Sequence, residues 1–172
     1  MDEATPEAGP AKLKPGMAAI ILVAIVILIG IYSVIGTLAG CGPGLIAGYM
    51  FAFYWGSIKE ASPGEVAPTL VGGLCGLGAA YLIHLMPILW PAIGLPLVLG
   101  LVAVLIYLLL IQLLPIAINN AMMLYLTIGT AGIFKTGQTF VAAAGALVLA
   151  AAYMTALLIG IPRILAARRA TA

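Results

Sequence analysis

The chain has 172 residues, 65% hydrophobic and 7% charged, with a formal net charge of +2 and a mean hydropathy of +1.26. Three stretches carry no Asp, Glu, Lys or Arg: between Lys14 and Lys59, between Glu65 and Lys135, and between Lys135 and Arg163. A soluble surface needs solvated charge, whereas a charge at the bilayer centre costs at least ~2.5–3.5 kcal/mol. The composition therefore excludes an ordinary soluble domain and leaves almost no room for charged catalytic or metal-binding clusters.

Residues 1–15 (MDEATPEAGPAKLKP) lack apolar periodicity and read as a disordered cytoplasmic tail. A span takes ~20 apolar residues, so residues 16–162 hold about six. The candidates are Met17–Gly36, Leu38–Ser57, Val66–Met86, Leu95–Leu114, Ile116–Phe134 and Gln138–Ile161. The second and fifth are the short or interrupted ones. Pro43, between Gly42 and Gly44, delays the second helix to Gly44–Ser57, while Pro115 stops the fourth and Asn119 is placed to cap the fifth. Residues 163–172 form a basic cytoplasmic tail, read as a topological anchor or as a stub against anionic headgroups. The expected fold class is an all-α integral membrane protein of about six transmembrane helices.

With six spans and a cytoplasmic N-terminus, Lys12, Lys14, Lys59, Arg163, Arg168 and Arg169 all fall inside and only Lys135 outside. If the second and fifth segments dip in and return, four spans remain and Lys59 moves outside. The spans divide at Pro87–Gly94, where Trp90 is a candidate interfacial anchor, into two sets of three. Related halves of three helices must be inverted relative to one another. Pro43–Lys59 laid on Asn119–Lys135 puts Tyr49 over Tyr125, Gly56 over Gly132 and Lys59 over Lys135, so the pattern allows a 3+3 inverted repeat. Interrupted segments at matching places in two halves point to a transport site.

Gly44, Gly48, Ala52 and Gly56 share one helix face, and Gly72, Gly76 and Ala80 another. Small residues at this spacing let helices approach closely; the plain reading is that these two helices pack together, the sharper one that the faces line a solute path. Asn119, Asn120, Tyr125, Thr127 and Thr130, with Tyr49 in the second segment, are the candidate polar path; the alternative for the asparagines is helix capping at the interface. His84 is the chain's lone histidine and has no acid or second histidine at membrane depth with which to relay a proton. Leu38-Ala39-Gly40-Cys41 matches a lipobox, yet the long acidic leader is unlike a signal peptide, which favours a chance match. The two cysteines define no disulfide or metal framework, and no catalytic or nucleotide-binding motif is present. No enzymatic activity, cofactor, metal or nucleic-acid partner is expected.

The run Leu114-Pro115-Ile-Ala-Ile-Asn119-Asn120-Ala-Met-Met-Leu124 followed by Thr127-Ile-Gly129-Thr130, together with Gly48-Tyr-Met-Phe-Ala-Phe-Tyr-Trp55-Gly56 and Lys59, resembles an uncharacterised family of small polytopic bacterial inner-membrane proteins, a domain of unknown function. The resemblance covers roughly residues 20–160. It implies five or six helices in the bacterial inner membrane and adds no activity; the acidic, Pro-containing N-terminal tail departs from it. The function expected is a small oligomeric channel or carrier for a compact neutral or weakly polar solute. The alternative is a non-transporting accessory subunit that packs on a larger membrane complex through Ala142–Ala146 and Ala150–Ala152.

Overall fold

The computed structural model describes residues 15–132, 134, 136–160 and 162. Both tails and Lys135, on which the orientation reading draws, lie outside the described residues. Six helices follow one another: α1 (Pro15–Leu38), α2 (Leu45–Phe53), α3 (Val66–Leu89), α4 (Gly94–Leu110), α5 (Asn120–Thr130) and α6 (Gly137–Thr155). No strand occurs among the described residues. Pro15 opens α1 at the position where a missing N–H costs nothing. The Gly42–Gly44 turn does delay the second helix, and wide π turns extend α2 through Tyr54–Ile58 and α6 through Ala156–Gly160.

Three helical stretches are long and apolar enough to cross a membrane: Gly16–Leu38, Pro63–Leu89 and Gly137–Gly160, with Gly94–Leu110 somewhat shorter. At 1.5 Å per residue, the 9 residues of α2 and the 11 of α5 rise only about 14 and 17 Å, against a hydrocarbon core of ~30 Å. These two short helices sit in the core with the inner faces of α3 and α6, contributing the fully buried Ala47, Phe51, Met122 and Tyr125. The long helices instead expose broad apolar surfaces, such as Ile20, Leu22, Val26, Leu95 and Leu99, that suit lipid rather than water.

Glycines set which helices touch. Gly44 lies on the Ala142–Ala143 backbone and Gly48 beside the Ala146 carbonyl, so α2 runs parallel to α6. Gly72 meets the Asn119 side chain, Gly76 the backbone of Met122 and Leu126, and Gly129 meets Ala80, so α3 runs parallel to α5. Gly73 lies against Leu147 and Gly137 against Tyr81, which makes α3 and α6 antiparallel at the centre. The two small-residue faces are thus close-approach surfaces, but each packs on another helix rather than on the other face. Gly56 has open space around it and takes no part.

Three tyrosines tie this packing together by donating to main-chain carbonyls of other helices. Tyr32 reaches Ala146 at 2.9 Å, Tyr125 reaches Ala47 at 2.7 Å and Tyr153 reaches Leu28 at 3.1 Å. The space left by Gly48 is what lets the Tyr32 hydroxyl pass to α6. Gly→Ala changes should therefore separate by sign. A methyl at Gly76 faces immovable backbone, and Gly76→Ala is expected to destabilise by about 1–3 kcal/mol, whereas Gly56→Ala gains helix propensity and should stabilise by up to about 1 kcal/mol. Melting midpoints in a mild detergent check the pair; equal shifts would contradict the packing.

Candidate functional site

At one end of the bundle, two irregular segments frame a cavity of about 630 Å³. The first wall begins at Trp55, fully buried and stacked on Phe51 with ring centroids 5.8 Å apart. Its indole N–H donates to the Ser62 carbonyl at 2.8 Å, while the Ala61 N–H donates to the Trp55 carbonyl at 2.9 Å. The turn so anchored holds Glu60 and Ala61 in the left-handed region, at φ 51° and 52°, a conformation that non-glycine residues keep only when their surroundings enforce it. This geometry brings Lys59, at the end of the α2 extension, to Glu65, at the start of α3, with Nζ and Oε2 3.1 Å apart.

The second wall is the connection from α4 to α5. Gln112 also takes a left-handed backbone, at φ 50°, and Asn119 closes the connection onto α3. The Asn119 Oδ1 accepts from the Met122 N–H at 3.1 Å, capping α5. Its Nδ2 donates to the carbonyls of Pro68 and Pro115, each at 3.0 Å, and of Ile116 at 3.2 Å. A side chain at Gly72 would occupy the place of that amide.

Between the walls lie Tyr54, Gln112, Asn120, the Lys59–Glu65 pair and the apolar Pro68, Leu109, Ile116 and Ile118. Thr69 forms part of the floor; it is 1% exposed, and its Oγ1 has no hydrogen-bond partner. Leaving a buried hydroxyl unpaired costs about 1–3 kcal/mol. The described residues hold three charged side chains, Lys59, Glu60 and Glu65, and all sit in this wall. Being about a third exposed, the ion pair adds at most ~1 kcal/mol of stability, but it concentrates polarity at one end of an apolar bundle. No group of three metal-ligating side chains occurs among the described residues.

Of the residues read as a polar path, Asn119 and Asn120 line this cavity. Tyr125 is instead buried between α5 and α2. Tyr49 pairs with the Ser33 hydroxyl at 2.9 Å on the opposite side of α2. Thr127 and Thr130 are exposed, and their hydroxyls donate to carbonyls of their own helix, Met123 at 2.8 Å and Leu126 at 2.9 Å. The six side chains thus occupy separate places rather than one channel. His84 is exposed on α3, its ring 6.3 Å from that of Phe140. A second cavity of about 560 Å³, between α3 and α6 around Tyr81, Gln138 and Phe140, is mainly apolar and carries no charge.

Lys59, Glu65 and Thr69 were the site residues that sequence reasoning missed. The charges read as topology signals, although Glu65 and Thr69, four apart at a helix start, share one face. Comparison with protein-family models, curated proteins and solved structures finds no match in any of the three. The functional reading accordingly rests on geometry.

The orphaned hydroxyl has a stability signature. Thr69→Val keeps the shape and removes the unpaired group, so the empty protein should gain about 1 kcal/mol, read as a raised melting midpoint. A lowered midpoint would mean that the hydroxyl has a partner.

Proposed function

We propose that this chain is a small, passive membrane carrier for a compact solute of no net charge, with the Thr69 cavity as its solute site. The observation that carries the reading is an unpaired hydroxyl, almost wholly buried, in the floor of a polar-ended cavity within an otherwise apolar bundle. A cavity of this size falls within the roughly 300–1,000 Å³ of small-molecule sites.

The carrier reading also takes the chain as two inverted halves, since broken or short helices at matching places are a carrier's structural signature. The burial pattern recurs at a spacing of 74 residues. Ala47, Phe51 and Trp55 correspond to Ala121, Tyr125 and Gly129; Gly72, Gly76 and Ala80 correspond to Ala146, Ala150 and Met154. Gly73 touches Leu147, its own counterpart. Exchanging α1 with α4, α2 with α5 and α3 with α6 turns the α2–α6 contact into the α5–α3 contact and keeps each parallel. This register differs by two residues from the one that overlays Tyr49 on Tyr125: Phe51 is the position that faces as Tyr125 does. The directions of α2, α3, α5 and α6 alternate as six passes would require; an even number puts both termini on one side, which the basic residues assign to the cytoplasmic side of a bacterial inner membrane.

The accessory-subunit reading keeps one observation in its favour. The N-terminal half of α1, from Gly16 to Ile27, is exposed throughout among the described residues. Of the alanines expected to meet a partner, Ala143, Ala146, Ala150 and Ala151 are buried within the protein's own core, Ala142 and Ala144 are half-buried, and Ala152 is exposed.

Uptake into proteoliposomes of a panel of small uncharged and zwitterionic solutes tests the carrier. At least one solute should enter faster than into empty liposomes. Asn120→Leu, at the cavity wall, is expected to cut that rate by about tenfold, a loss of ~1.4 kcal/mol, while Gly100→Leu, on the open face of α4, leaves it unchanged. Permeability no greater than that of empty liposomes for every solute would defeat the reading.

A further inference from the structure

The lining of the Thr69 cavity also restricts what fits it. Its charged pair sums to zero, the floor carries a lone hydroxyl, and Leu109, Ile116 and Ile118 supply an apolar wall. A solute with a net charge would bring that charge uncompensated to the edge of the hydrocarbon. A polyol would leave Lys59 and Glu65 bound to each other and set its hydroxyls against Leu109 and Ile118. A zwitterion with an apolar substituent meets each part of the lining. Its oxyanion and ammonium lie a few bonds apart, as Nζ and Oε2 lie 3.1 Å apart, and the pair is reachable, at 33% and 39% side-chain exposure. One ion pair is exchanged for two with no change in net charge, and charge-assisted hydrogen bonds of this kind are the strong ones.

Resting on the carrier reading, we propose that the cavity binds a small zwitterion of the α-amino-acid type. The Lys59 ammonium takes the oxyanion, the Glu65 carboxylate takes the solute's ammonium, and the substituent lies along Leu109 and Ile118 toward Thr69. Two sources carry this chemistry, a free amino acid and the headgroup of phosphatidylethanolamine.

The test is calorimetric titration of the full chain in phosphatidylglycerol nanodiscs with L-valine. Valine should bind saturably, and isobutylamine, isobutyrate and glycerol, which each lack at least one charge, about tenfold or more weakly. Lys59→Gln and Glu65→Gln should each weaken valine about tenfold. The exchanged pair, Lys59→Glu with Glu65→Lys, preserves the bridge and the fold and should bind with the zwitterion reversed. Repeating the titration with phosphatidylethanolamine in the nanodisc identifies the source: weaker valine binding assigns the site to the headgroup, unchanged binding to the free solute. The proposal is overturned if valine binds in neither lipid, if a singly charged analogue or glycerol matches it, or if both single substitutions leave binding intact. Glycerol flux blocked by Asn120→Leu without valine binding would remove the zwitterion and leave the carrier. Valine binding without flux of any solute would do the reverse.

Discussion

Hydrocarbon offers a backbone N–H or C=O nothing to bond with, and helices that end before the membrane does must therefore find partners inside the protein. In a membrane, α2 and α5, which rise only about 14 and 17 Å, would both be in this position. The start of α5 is held by Asn119, whose single amide caps α5 and also gathers carbonyls from α3 and the preceding connection. The start of α2 is tightened into the Gly42–Gly44 turn, with the Gly44 N–H bonded to the Cys41 carbonyl at 2.8 Å. Its far end opens into a π turn secured by Trp55. The glycine contacts serve the same constraint, because a short helix can be enclosed by its neighbours only where their backbones come close.

The two short helices are not enclosed equally closely at their starts. Gly44 lies directly on Ala143, and nothing separates α2 from α6 there. Before α5 the chain carries Ile118 rather than a glycine, and Ile118 lines the cavity together with Thr69 of α3. The connection from α4 to α5 touches α3 through Asn119, and the cavity opens beside that contact. The only described ion pair sits at that cavity, and the hydroxyl beneath it has no partner. Polarity and volume thus coincide at one end of the bundle.

Much of the scaffold was legible before any coordinates. Charge gaps located the long helices, Pro43 and Pro115 marked the two short ones, and Asn119 announced a cap, since each is a local signal read within a few residues. Partners were not legible. The faces of Gly48 and Gly76 were recognisable as contact surfaces, but small residues do not say which helix they will meet. The same limit hid the tyrosine bonds, whose acceptors are carbonyls that every residue has. It also hid Thr69, because a hydroxyl in an apolar helix ordinarily satisfies itself on the preceding turn, and only the fold reveals that this one does not.

The first helix is secured by the last. Tyr32 and Tyr153 join α1 to α6 across 114 and 125 residues of chain. At roughly 5–20 residues per second, the ribosome needs about 6–23 s to make the intervening 114 residues. Throughout that interval α1 has neither of these bonds, while its exposed apolar sides suit it to lipid. The order of manufacture thus sets a second demand on α1, that it be able to wait in the bilayer alone, and its run of exposed Ile, Leu and Val meets it.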